Sequence, residues 1–141
     1  MNKIERNKLA MKKFMTCINT NDKILAEELI AAEAEFTTPV SEKPLYGGAS
    51  YLSVVDLMRK SFSDIRWEMV DMAAEEDKVA VSWICSGTHD GEFMGLAPTG
   101  KKFSFSVMNF YYFNADGKII NDVAAQGKFG LLNQLGISWR L

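Results

Sequence analysis

Apolar side chains recur every third or fourth position at the start of the chain, at Met1, Ile4, Met11, Met15 and Ile18, with Lys8 keeping the spacing and Leu9 and Phe14 on its flanks. Lysines and asparagines fill the rest, so the pattern predicts an amphipathic helix. The polar run Asn19-Thr20-Asn21-Asp22 ends it and offers a side-chain cap to a second, short helix over about Lys23 to Ala32, whose apolar side is Ile24, Leu25, Leu29 and Ile30. Thr, Pro, Ser and Gly residues from Phe36 to Gly48 predict a short extended piece and then a loop. Helical spacing returns at Tyr51, Val54, Val55, Met58 and Phe62, which predicts a third helix opening at Ala49 or Ser50.

Beyond Phe62 the period drops to two, the mark of half-buried strands. Trp67 to Ala74 is one strand, Glu75-Glu76-Asp77 its turn, and Lys78 to Thr88 the next, with Val79, Val81, Trp83 and Cys85 on one face and Ala80, Ser82 and Ile84 on the other. Lys102 to Asn114 alternates through Phe103, Phe105, Val107, Asn109, Tyr111 and Phe113. Asn114-Ala115-Asp116-Gly117 then supplies a hairpin turn into a last strand from Lys118 to about Gln126. A short amphipathic tail, Phe129, Leu131, Leu132 and Leu135, is expected to close the domain. Helices first and an antiparallel meander afterwards predict an α+β fold with helices on one sheet face. Long, twisted strands with aromatic residues on both faces can curl into a half-barrel with a pocket between sheet and helices.

The chain has 141 residues, 48% hydrophobic, 11% aromatic and 24% charged. That profile predicts one soluble globular domain over 1–141, able to bury roughly two-thirds of its unfolded surface without a metal or disulfide staple. A net charge of -2 leaves no electrostatic footprint for nucleic acid. Cys17 and Cys85 are too few and too far apart for a disulfide framework or a metal knuckle, and are read as free buried thiols. Lys12 and Lys13 interrupt any signal-peptide core, and no stretch reaches the ~18 apolar residues of a membrane span, so the expected compartment is the cytoplasm. Neither a P-loop, an HExxH pair nor a clustered His/Cys/Asp set occurs, and no metal or other cofactor is expected.

The segment Gly87-Thr88-His89-Asp90-Gly91-Glu92-Phe93-Met94-Gly95-Leu96-Ala97-Pro98-Thr99-Gly100-Lys101 resembles the G-T-H-x-G-x-F-x-G-x-x-P-T-G-K/R signature of the SnoaL-like polyketide cyclase and ester cyclase family. Asp116-Gly117-Lys118-Ile119, Leu131-Leu132-Asn133-Gln134-Leu135-Gly136 and Phe62-Ser63-Asp64-Ile65-Arg66 are similar to further elements of that family, so the likeness runs from about Phe36 to Gly136. The resemblance implies an NTF2-like cone, a curved and mostly antiparallel sheet with three N-terminal helices enclosing a pocket, commonly as a homodimer. It also implies a late acid as general base within W-x-x-x-D and an early F-x-x-H. Here the tryptophan position falls on Val123, the aspartate position on Gly127, and the early histidine position on Pro39.

An aldol closure of the kind such cyclases perform needs a base and a facing hydrogen-bond donor. His89, the only histidine, is one candidate, because histidine ionises near neutrality; the same side chain also suits a turn-holding role beside its glycine-rich loop. Asp122 is the other catalytic candidate, set against the reading of a solvated strand residue. Asp122 shares parity with Gln126, and Asn121 with Val123, so alternation alone leaves open which face of the last strand turns inward. Expected ligand contacts are Met58, Phe62, Trp83, Phe105, Asn109, Tyr111, Val123 and Gln126. The function expected from the resemblance is acid/base cyclase or isomerase chemistry on a small, largely apolar carbonyl compound, with a small apolar or aromatic metabolite as partner. A non-catalytic ligand-binding protein on the same scaffold is the alternative.

Overall fold

The computed structural model describes residues 1–38, 41–125, 131–132 and 134–136. Asn2 opens the first helix, α1 (Lys3–Thr20), by accepting the Glu5 N–H at 2.8 Å. Asn21 closes it in the left-handed conformation, φ 53°, and Asp22 at once caps α2 (Lys23–Leu29) by accepting the Leu25 N–H at 3.0 Å. The polar run therefore acts twice, as stop and as start.

The helix α2 ends before the expected Ala32. From Ile30 the chain is strand β1 (Ile30–Thr38), which turns into β2 (Ser41–Tyr46) before α3 (Gly47–Ser61). The stretch expected to be mostly loop is thus a hairpin, because Ile30 pairs in parallel with Ile119 and Phe36 with Leu45 across β1 and β2. Next come β3 (Arg66–Glu75), β4 (Lys78–Thr88), β5 (Lys102–Phe113) and β6 (Ile119–Ala124). The expected β6 end at Gln126 lies outside the described residues. At the β5–β6 turn Gly117 takes φ 80°, which glycine alone adopts freely, and the Asn114 side chain accepts the N–H groups of Asp116 and Lys118, both at 3.0 Å.

Among the described residues six strands form one sheet in the order β2-β1-β6-β5-β4-β3, antiparallel except where β1 meets β6. The helix α1 lies across β3 and β4, whereas α3 lies on β1 and α2. Between them Met11, Phe14 and Ile18, Leu52 and Val55, and Val79, Val81 and Trp83 build the core. The buried stripe of α1 is Asn7, Ala10, Met11, Phe14, Cys17 and Ile18. Met1, Ile4 and Leu9 stay exposed, so the helix is rolled from the expected stripe until Phe14 reaches the sheet. In the tail, Leu131 and Leu135 are 60% and 65% exposed, where closure of the domain was expected, and Phe129 lies outside the described residues. Among the described residues no helix is long and apolar enough to cross a membrane.

Candidate active site

Alternation on β4 and β5 turns Val81, Trp83, Phe105, Val107, Asn109 and Tyr111 toward the helices, as the pairs Val81↔Asn109 and Trp83↔Val107 require. On β6 the register slips. Tyr112 pairs with Asn121 and Phe113 with Ile119, leaving Ile120 extra, a bulge that puts Asp122 on the same side as buried Ile119. Asp122 stands opposite Tyr111, and Asn109 opposite Ala124. Along this inward surface exposure falls from 52% at Phe105, through half-buried Val107 and Asn109, to 3% at Tyr111 and 8% at Asp122.

Asp122 is therefore not the solvated strand residue of the alternative reading. Its Oδ2 accepts a hydrogen bond from Asn109 Nδ2 at 3.3 Å, while its Oδ1 is buried and unpartnered. Burial pushes the carboxyl up to about 6, against the smaller opposing effect of Asn109. Around it stand aromatic side chains carrying hydroxyls. Trp83 Nε1 donates to Tyr111 Oη at 3.2 Å, and Phe14 packs between Tyr51 and Tyr111 with ring centroids 5.4 and 5.5 Å away. Phe36 holds Tyr51 from another side at 4.7 Å. Burial first, and then the negative potential of Asp122 among others, raises the pKa of both phenols, so each stays a protonated donor at neutral pH. The sequence reading missed Tyr51 by placing it on an apolar helical stripe; its signal was the one phenol on that stripe.

His89 is not part of this cluster. Its Nδ1 accepts the Thr99 N–H at 3.2 Å and meets Thr99 Oγ1 at 3.0 Å, while its backbone bonds to Lys101 O and Gly100 N–H at 2.9 and 2.8 Å. The ring packs on Phe62 at 5.7 Å. Lys101 and Tyr111, which neighbour His89 and Asp122 respectively, lie about 30 Å apart along extended chain at ~3.3 Å per residue. The two side chains named as catalytic from the sequence are thus at opposite ends of the sheet, and His89 holds the turn. The loop is bolted to the end of α3. Asp90 and Gly91 N–H groups donate to Ser61 O at 3.2 and 2.9 Å, and Ser61 Oγ donates to Glu92 O at 2.6 Å. A Cβ on Gly91 would lie 2.0 Å from the Lys60 carbonyl oxygen, the reason that position holds glycine.

The remaining expected contacts divide. Met58 packs over Phe62, Ile65 and Cys85, at the His89 end. Phe62 caps α3 rather than extending its helical stripe. Val123 is a correction: it pairs with Phe110 on the outer sheet face and is 50% exposed, because the bulge gives the inward direction to Asp122. Gln126, Gly127 and Pro39 lie outside the described residues. A surface depression of about 350 Å³ lies by Gly47, Gly48 and Lys118, and another of about 260 Å³ by Arg66, Thr88 and Lys102; Asp122 lines neither. Among the described residues no group of three or more His, Cys, Asp or Glu side chains is placed to hold a metal ion.

Comparison with known proteins agrees with this architecture. The chain is 32% identical over 119 residues to aklanonic acid methyl ester cyclase AcmA of Streptomyces galilaeus, covering 84% of this chain and 78% of AcmA. The fold matches IdmH of Streptomyces antibioticus, a proposed polyketide cyclase, with a TM-score of 0.73 and 26% identity over 92% of this chain and 98% of IdmH. It also matches AclR of Streptomyces galilaeus, a proposed hydroxylase, with a TM-score of 0.71 and 25% identity over 96% of this chain and 99% of AclR. With a cyclase and a proposed hydroxylase among proteins of this fold, chemistry is argued from side chains. The profile of the SnoaL-like polyketide cyclases matches residues 8–135, nearly the whole α+β cone, and the chain belongs to that family.

Proposed function

We propose that the protein is an acid/base cyclase or isomerase acting on a small, largely apolar carbonyl compound, with Asp122 as the base. The observation that carries this reading is a single carboxylate, 8% exposed and paired with Asn109, at the buried end of a surface that opens toward Phe105. The cyclase activity in the name of AcmA points the same way. A carboxyl titrating at about 6 is ionised at neutral pH and a stronger base than an ordinary aspartate. In an aldol closure the Asp122 carboxylate takes a proton from the carbon next to a carbonyl, and the C–H electron pair moves into the enolate. The enolate carbon attacks a second carbonyl of the same molecule, and the alkoxide so formed takes the proton back. Atoms and electrons balance with no co-reactant. Asn109 orients the carboxylate. The aromatic and aliphatic remainder of the surface equally suits a protein that holds such a compound without transforming it.

A screen of aromatic polyketide fragments and small carbonyl compounds by thermal stabilisation separates the two readings, since a ligand of the native state raises the melting temperature by mass action. Ligands are expected to stabilise wild type more than Asn109→Leu, and some to be turned over by wild type but not by Asp122→Asn. Equal stabilisation of wild type and Asn109→Leu places the ligand elsewhere. Binding without turnover by wild type across the set favours the binding protein.

We also propose that two copies pair through the outer sheet face. Val70, Met108, Phe110 and Val123 are 51%, 63%, 47% and 50% exposed there, an apolar surface that a two-fold axis would cover with itself. Sedimentation equilibrium at micromolar concentration is expected to return twice the chain mass; a monomer mass overturns the pairing.

A further inference from the structure

Removing a proton next to a carbonyl leaves negative charge on the carbonyl oxygen, and a hydrogen-bond donor must meet it there. The nearby groups narrow the choice. Arg59, one of two cations in the last turn of α3, is turned away to the Ile18 carbonyl at 3.0 Å. One N–H of the Asn109 amide is engaged with Asp122, and Tyr111, whose hydroxyl accepts from Trp83 and keeps its own O–H, is shut away at 3% exposed. Tyr51 differs in exposure and, among the described residues, in having no partner. It is only partly buried, its ring is clamped by Phe14 and Phe36, and among the described residues its hydroxyl has no hydrogen-bond partner. It stands on α3 against Phe14, which also packs on Tyr111, the residue opposite Asp122 across β5 and β6, so helix and sheet bring the phenol and the carboxylate to the same cluster of side chains.

We propose that Tyr51 is a catalytic residue whose hydroxyl donates the hydrogen bond to the enolate oxygen formed when Asp122 removes the proton. The inference rests on the reading of Asp122 as the base. An unpaired hydroxyl held by two rings costs little reorganisation when charge develops beside it, the condition under which such a donor is most effective. The sequence lacks the early histidine and late acid of the family pattern, and Tyr51 with Asp122 supplies a donor and a base from different elements.

Tyr51→Phe removes the hydroxyl and keeps the ring contacts, so the fold is expected to persist, with a melting temperature near that of wild type. The probe is a series of substituted phenols of graded acidity, whose phenolates imitate an enolate, bound to Asp122→Asn so that the base is neutral as it is after proton transfer. The more acidic phenols are expected to bind Asp122→Asn more tightly, in the ionised form seen by ultraviolet absorption. Adding Tyr51→Phe is expected to weaken them by about tenfold or more, as for loss of a hydrogen bond to a charged group, while Tyr111→Phe changes them less. Equal phenolate binding with and without the Tyr51 hydroxyl overturns the proposal, as does failure of every phenol to bind Asp122→Asn. The base assignment fails separately: wild-type turnover by Asp122→Asn together with slowed turnover by Tyr51→Phe removes Asp122 from its role and leaves Tyr51 in place.

Discussion

Asp122→Asn is expected to abolish turnover and at the same time to stabilise the protein at neutral pH. The folded carboxyl titrates at about 6 against an ordinary 3.8, with burial as the main cause, so the folded state holds this proton more firmly than the unfolded chain. Stability contributed by the protonated form is fully present below the ordinary value and is lost as pH rises through about 6. Above that pH the buried charge costs about 1–3 kcal/mol, at ~1.4 kcal/mol per unit of displacement. Asparagine fills the same volume, keeps an oxygen for Asn109 and carries no charge, so it removes that cost. Urea unfolding from about pH 4 to pH 8 checks it: the advantage of Asp122→Asn should be near zero at the acid end and grow to its full value at the other. A variant no more stable than wild type at pH ~8, or one whose advantage grows toward acid, contradicts the assignment. In wild type, turnover should rise with pH through the same window, as the base loses its proton. A group that weakens the fold while serving chemistry is the usual compromise at a functional site.

Phe14→Ala is expected to be the most damaging single truncation. Phe14 is fully buried and touches Tyr51, Trp83 and Tyr111, with ring centroids 5.4, 6.4 and 5.5 Å away. Cutting a buried phenylalanine to alanine costs about 3–5 kcal/mol through lost transfer energy and the cavity left behind, a large share of the ~5–15 kcal/mol that holds a domain together. A fall in melting temperature of about 10 °C or more follows for a chain of this length. The same cavity frees both tyrosines, so ligand affinity should fall by more than in a truncation of comparable cost elsewhere in the core, such as Val79→Ala. A loss below ~1 kcal/mol would show that the neighbours close over the gap and that Phe14 is not the pillar of the site.

Much of the architecture was legible locally. The cap residues Asn2 and Asp22, the left-handed stop at Asn21 and the Asn114–Gly117 turn all act within four residues of themselves, where sequence spacing and physical distance coincide. For the same reason the alternation of Val79, Val81, Trp83 and Cys85 named the buried face of β4 correctly, and the shift from helical to strand period separated α3 from β3. The glycine-rich segment after β4 carried the family membership, and its own geometry declared it a structured turn.

Where the reading failed, the deciding partner was distant in sequence. Ile30 is a strand residue only because Ile119 lies beside it, and a helical run of alanines and glutamates cannot report that pairing. The roll of α1 followed the sheet beneath it rather than its own most apolar stripe. His89 and Asp122 were an exception, since the residue count of the strand from Lys102 to Asn114 already set their neighbours about 30 Å apart at ~3.3 Å per residue. Alternation along β6 determined that Asp122 or Val123 would face inward, not both. Only the tertiary structure decided which, because the direction of a strand side chain depends on register with its neighbour, and the one extra residue at Ile120 reverses it.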